Sequence, residues 1–265
     1  MIYRRLHRIF LLGMFLAVFS NIYAQEVDYV SFAYYNKRVR EFAPLRDIDS
    51  TTIVMLGNSL TENGGNWRER IDTETNVVNR GIIGDNTVGM MKRLCQIAPY
   101  HPSAIFLMAG INDMSHGTPV QKVVNRVIAL IDSIRVQAPG TKLFVESILP
   151  INETNGRWKS LSGRTDDIPV ANMLIHAYCE SLGITFVDIF SQLTSKHSNS
   201  LRSEFTTDGL HLNGEGYKVW ASELHRYVER LEKQRRMPTI FDFLQPNYPF
   251  YEMNGDMNRG FLFKE

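Results

Sequence analysis

Two cysteines in 265 residues are too few for a disulfide framework or a four-cysteine zinc site. Neither sign of charge is in excess, with 29 Lys and Arg against 28 Asp and Glu and no basic block. Nucleic acid therefore has no electrostatic footprint here. No apolar run reaches the roughly 20 residues needed to span a bilayer. The Gly-x-Gly-x-x-Gly dinucleotide fingerprint and the His-Glu-x-x-His zinc motif are both missing. Disorder is disfavoured as well, because aromatic and aliphatic residues run through most of the chain. One folded domain with a sizeable core is what remains.

The first 24 residues read as separate from that domain. Arg4, Arg5 and Arg8 precede an uncharged apolar run from Ile9 to Phe19, and Ser20 to Ala24 follow. A basic start, a short apolar centre and a small residue before the cut form the pattern of a secretory signal peptide. Cleavage is expected after Ala24, and no cysteine follows it to carry a lipid. The alternative is an uncleaved anchor, which the length of the run disfavours. Loss of three arginines and no acids leaves 26 basic against 28 acidic residues. The expectation is an exported protein, periplasmic or extracellular, with no stable membrane insertion after cleavage. Export permits a disulfide between Cys95 and Cys179. Both lie in helix-like stretches, where free buried cysteine is common, which favours two thiols.

Beyond the signal segment, residues 25–51 form a helical lead-in, with a helical pattern from Val27 to Phe42. Five short strands then alternate with helices: Thr52–Leu56, Asn76–Asn79, Ala104–Ala109, Lys142–Ser147 and Ile184–Val187. The helices between and after them are Trp67–Ile71, Val88–Ile97, Val120–Gln137, Val170–Leu182 and Gly216–Leu231. In the third of these, Val120, Val123, Val124, Val127, Ile128, Ile131 and Ile134 recur at three- and four-residue spacing, a stripe for core packing. Strands apolar throughout, alternating with helices, predict a three-layer α/β/α sandwich around about five parallel strands.

Ligands of such sheets lie beyond the carboxyl ends of the strands. Gly57-Asn58-Ser59-Leu60 follows the first strand, and Gly81-Ile82-Ile83-Gly84-Asp85 the second. Gly110-Ile111-Asn112-Asp113 follows the third, and Asp208-Gly209-Leu210-His211-Leu212-Asn213 precedes the last helix. Each is weak alone, since a serine or glycine after a strand is ordinarily a turn residue. Together, in order, they supply the parts of acyl transfer. A serine hydroxyl needs a base to take its proton, and histidine titrates near neutrality. A carboxylate on the other ring nitrogen fixes the tautomer. The oxyanion needs donors already in place, which the Ser59 and Gly84 amides and the Asn112 side chain could provide.

These four blocks resemble those of the SGNH hydrolases, also called the GDSL esterase/lipase family, over roughly Thr52 to Arg230. Within it the likeness is to the platelet-activating-factor-acetylhydrolase-like branch, which includes carbohydrate and sialate O-acetylesterases. The resemblance implies a flavodoxin-like sandwich over 52–231. It implies Ser59, Asp208 and His211 as the catalytic set, and Ser59, Gly84 and Asn112 as the oxyanion hole, with no cofactor and no metal. Asn58 stands where the family has aspartate, a change expected to bear on how the nucleophile turn is held. Thr61 stands where the Gly-x-Ser-x-Gly elbow of α/β-hydrolases needs glycine, so that other serine-hydrolase fold is excluded.

The expected substrate is a small-molecule or glycan ester, with acetyl groups on sugars or sialic acids foremost. Lipid or thioester hydrolysis and acyl transfer to a glycan are alternatives for the same site, and a binding module with a spent site is a rival from another class. In Pro150–Thr165, Arg157 could pair with a sugar carboxylate and Trp158 could stack on a ring. Residues 232–265 read as a tail outside the domain, opening with a charged linker, Glu232–Arg236. Beyond it Phe241, Phe243, Tyr248, Phe250, Tyr251, Phe261 and Phe263 favour wrapping back onto the domain over a partner contact. Oligomeric state has no signature in the sequence.

Overall fold

The computed structural model describes residues 32–195 and 197–236. The expected signal segment, and the aromatic tail beyond Arg236, lie outside the described residues.

Five strands form one parallel sheet: β1 (Ile53–Gly57), β2 (Val77–Gly81), β3 (Ala104–Leu107), β4 (Lys142–Glu146) and β5 (Thr185–Val187). Their spatial order is β2-β1-β3-β4-β5, the flavodoxin-like arrangement. The helices are α1 (Ala33–Phe42), α2 (Ser59–Glu62), α3 (Trp67–Ile71), α4 (Thr87–Lys92), α5 (Ile111–Ser115), α6 (Val120–Gln137), α7 (Asp167–Ser181), α8 (Phe190–Leu193) and α9 (Gly214–Arg236). Every residue of β1 and β3 is buried. Apolar strands covered on both faces have no polar side to present, which is why their sequences do not alternate. Phe106 and Phe144 stack across β3 and β4 with centroids 4.5 Å apart. On α6 the predicted stripe faces inward: Val123, Val124, Val127, Ile131 and Ile134 are buried, together with Leu130. Val120 and Ile128 pack partly buried against the same core.

Several element ends differ from the sequence expectation. Only the part of the predicted Val27–Phe42 helix from Ala33 onward lies in α1. The Val88–Ile97 helix is cut short: α4 stops at Lys92, and a 3-10 turn, Leu94–Gln96, follows. Pro99 limits extension of a regular helix there, and Arg93 is drawn inward by partners described below. Cys95 thus sits on an exposed 3-10 turn, while Cys179 is buried in α7, and both are free thiols. Helix α7 begins three residues before Val170, because Pro169 falls in its first turn, where the missing N–H has no partner to lose. Glu232–Arg236, expected as a linker, continues α9. A Glu229–Lys233 pair at 2.8 Å and a bond from Arg235 Nη2 to the Thr51 carbonyl hold that end. Among the described residues no helix is long and apolar enough to cross a membrane.

The chain leaves β1 toward β2 on one side and reaches β3 on the other, so the sheet order reverses at β1. Gly57 lies opposite Gly81, and Leu56 opposite Leu107, so the three strands end level. A crevice beyond those ends is where such sheets bind ligands.

Candidate active site

The first segment beyond β1 sets the serine. Asn58 caps α2, its side-chain oxygen accepting from the Leu60 amide at 2.9 Å. The family's aspartate is thus replaced by a neutral cap of the same reach. Ser59 opens the helix and is 6% exposed. The far end of α2 is held from two sides. Tyr217 Oη of α9 donates to the Leu60 carbonyl at 2.7 Å, and Trp67 Nε1 of α3 donates to the Thr61 carbonyl at 2.9 Å.

His211 approaches from the loop before α9. Its Nε2 lies 3.0 Å from Ser59 Oγ, and its Nδ1 lies 2.8 Å from Asp208 Oδ2. The other Asp208 oxygen accepts from the Leu210 amide at 2.9 Å and the His211 amide at 2.8 Å. Burial alone would raise the Asp208 carboxyl. The bonds from the His211 ring and those two amides outweigh it and hold the group below the ordinary aspartate range. Gly209 between them has φ +85°, and a Cβ there would stand 2.3 Å from the Asn152 carbonyl oxygen. The Asn152 amide donates to the Gly209 carbonyl at 2.7 Å, so the loop after β4 and the histidine loop are joined backbone to backbone.

Beyond β2 the chain makes a tight turn, Ile82 to Asp85, closed by a 3.0 Å bond from the Asp85 amide to the Ile82 carbonyl. Gly84 has φ +80°, the value a type II turn demands of its third residue and the reason for glycine there. The Gly84 N–H has no protein partner among the described residues. Asn112 Nδ2 donates to the Asp85 carbonyl at 2.7 Å, which seats the asparagine on the same turn. Asp85 itself is buried against Arg93, Oδ2 to Nε at 2.8 Å, and Arg93 Nη2 donates to the Gly57 carbonyl at 3.0 Å. One buried arginine therefore ties the turn after β2 to the end of β1. Burial pushes the Asp85 carboxyl up to about 6 despite the pull of Arg93. Asn86 caps α4, and Asp113 of α5 reaches its first residue, accepting from Thr87 Oγ1 at 2.6 Å and the Thr87 amide at 3.1 Å.

The loop after β4 supplies a wall. Glu153 accepts from the Gly163 amide at 2.6 Å and from the Thr165 amide at 2.9 Å and hydroxyl at 2.5 Å, closing residues 153–165 into a loop. Trp158, carried on it, packs edge-on against His211 with centroids 5.2 Å apart. Arg157 lies over the Trp158 ring at 5.8 Å, whereas Arg164 is engaged with Asp167 at 2.7 Å. A cleft of about 250 Å³ is lined by Ile151, Asn152, Trp158, Lys159, Leu161 and Gly209, among others. A larger depression of about 460 Å³, bounded by Lys142 and Thr185 where β4 and β5 begin, lies at the wrong end of the sheet for chemistry beyond strand ends. Among the described residues no group of three or more His, Cys, Asp or Glu side chains is placed to hold a metal ion.

The family model of the GDSL-like lipase/acylhydrolases matches residues 49–219. The chain belongs to this family. A GDSL esterase/lipase of Arabidopsis thaliana is 24% identical over 220 residues, which is 71% of this chain and 85% of that protein. A GDSL-like lipase from Bacteroides thetaiotaomicron has a TM-score of 0.66 at 22% identity, over 76% of this chain and 99% of its own. A Streptococcus pneumonia protein assigned as a platelet activating factor has a TM-score of 0.62 at 27% identity, over 82% and 99%. The chain is thus a carboxylic ester hydrolase of the GDSL kind.

Within this GDSL-family site, Ser59, Asp208 and His211 converge, and Asn112 of α5 bonds to the turn that carries Gly84. Trp158 reaches His211 directly; Arg157 reaches it only through Trp158. Sequence reasoning missed Glu62, Arg93 and Glu153. For Arg93 a signal existed, a lone arginine between Met90 and Leu94 on an inward helical face, but its partners are set by the fold.

Proposed function

We propose that the protein is a serine esterase that removes short acyl groups, acetyl foremost, from oxygen atoms of carbohydrates or sialic acids. The observation that carries the chemistry is the Ser59–His211–Asp208 relay, with spacings of 3.0 and 2.8 Å. Ser59 Oγ attacks the acyl carbon as its proton passes to His211 Nε2, and the carbonyl oxygen takes up the negative charge. The Gly84 and Ser59 amides and the Asn112 side chain receive that charge. Collapse expels the alcohol, which takes the proton from His211 and leaves an acyl-serine. Water then attacks the acyl-serine, giving its proton to His211, and collapse returns Ser59 with release of the acid.

The sugar reading is supported by the cleft beside the histidine. Trp158 lines that cleft and offers an apolar ring on which a sugar could stack. Arg157, over the same ring, would supply a cation for an acidic sugar. Residues 1–24 would serve as the export signal, delivering the mature enzyme to the periplasm or beyond.

Fluorophosphonate labelling and acetate release test the reading on purified protein. Wild type should be labelled at Ser59 and Ser59→Ala should lose both label and turnover; an active Ser59→Ala variant refutes the mechanism. A panel of O-acetylated sialic acid, acetylated xylan, a lysophospholipid and an acyl thioester tests the substrate class. Preference for either of the last two refutes the sugar reading, and mass gained by an added glycan acceptor would show transfer in place of hydrolysis.

A further inference from the structure

Helix α1 lies outside the segment matched by the family, yet it is built into the site. Its contacts converge on one carboxylate, Glu62, three residues after Ser59. Tyr34 Oη donates to Glu62 Oε1 at 2.7 Å, and Arg38 Nε lies 3.0 Å from the same oxygen. The other oxygen, Oε2, accepts from the Ile83 amide at 2.6 Å. Ile83 is the second residue of the turn whose third residue is Gly84. The helix is well seated for this task. Phe42 lies between the guanidinium groups of Arg38 and Arg80, at 4.5 and 4.8 Å. Tyr35 Oη donates to the Gly89 carbonyl at 2.9 Å, and Tyr35 and Phe42 form a small core with Ile82. Just ahead of α1, Phe32 covers Gly84 so closely that a Cβ on the glycine would stand 2.9 Å from its ring.

The turn type decides where the Gly84 N–H points. Types I and II differ chiefly by reversal of the central peptide, here the one joining Ile83 to Gly84. Arg93 and Asn112 fix the Asp85 side of the turn. The Ile83 side has Glu62. We propose that Glu62 is a positioning residue for the oxyanion donor Gly84, and that α1 holds Glu62 in place through Tyr34 and Arg38. A preset donor stabilises the charge that develops at the transition state without reorganising at the moment of reaction. A loosened donor still lets substrate bind. The proposal rests on the serine-esterase reading above.

The test compares full-chain wild type, Glu62→Ala, Glu62→Gln and a Tyr34→Phe/Arg38→Met double variant, with Ser59→Ala as control. Each is assayed for p-nitrophenyl acetate turnover and for inhibition by phenylboronic acid, which forms a tetrahedral adduct with a nucleophilic serine. Deleting an oxyanion donor outright costs about 100- to 1,000-fold in kcat, so loosening one should cost on the order of tenfold. Glu62→Ala should show that loss with KM within about twofold, and its boronate Ki should rise by the same factor as kcat falls. Glu62→Gln should fall between it and wild type, and the double variant should follow Glu62→Ala. The double variant leaves Glu62 in place, so it answers the question if Glu62→Ala does not fold. Unchanged kcat, a rise in KM alone, or a kcat loss with unmoved boronate affinity would overturn the assignment. An inactive wild type or an active Ser59→Ala would instead bring down the esterase reading, and this proposal with it.

Discussion

Glu146 sits at the end of β4 and is 3% exposed. One oxygen accepts from Trp220 Nε1 of α9 at 2.9 Å, and the other has no partner among the described residues. Burial pushes this acid from 4.5 up to about 8, the Trp220 bond opposing it only in part. Between those two values the native protein keeps the proton and the unfolded chain releases it. Stability from this group is therefore full below pH 4.5 and is lost as pH rises toward about 8. At about 1.4 kcal/mol per pH unit, the interval from 4.5 to about 8 amounts to about 5 kcal/mol. Glu146→Gln removes the titration while keeping shape and the Trp220 bond. Urea unfolding of both proteins at pH 4.5 and pH 8 isolates the effect, because every other titrating group is common to the pair. The variant's advantage should grow by about 5 kcal/mol between the two conditions. Parallel stability profiles would refute the reasoning, and would mean that water or another group solvates the carboxylate in the native state.

Arg93→Met strands the buried Asp85 carboxyl and should cost about 3–5 kcal/mol in urea unfolding. Adding Asp85→Asn should recover most of that. Asn112→Ala removes a side-chain donor and frees the Asp85 carbonyl; kcat for an acetyl ester should fall about 100-fold or more. A thiol reagent should modify one cysteine, Cys95, in the folded protein and two after denaturation. Burial raises Cys179 to about 11, which adds to its protection.

Legibility followed sequence distance. The strands could be read because each is an apolar run ended by Gly57, Gly81 or another breaker, and α6 because its stripe is long. Asp208 and His211 could be read because their partnership fits within four residues and needs one local turn. Glu62 acts on an amide 21 residues away, and Arg93 joins a carboxylate 8 residues away to a carbonyl 36 away, so no local pattern marks their role. Glu146 falls within an apolar strand pattern, and its partner Trp220 is 74 residues distant. The end of α4 falls short of the helical pattern because Arg93 turns inward to the Asp85 carboxylate and the Gly57 carbonyl, a pairing that only the fold assembles. The last turn of α9 is charged, and charge there reflects a solvated face of a helix as readily as a linker.

The hydroxyl of Tyr217 on the Leu60 carbonyl joins segments 157 residues apart, and the Ser59–His211 contact spans 152. Contacts of such separation close large loops and tend to form late in folding. A refolding molecule can complete the sheet from β1 to β5 before α9 docks, and at that stage serine and histidine have not met. Recovery of turnover should therefore lag recovery of helical signal, and the lag would time the docking of the final helix.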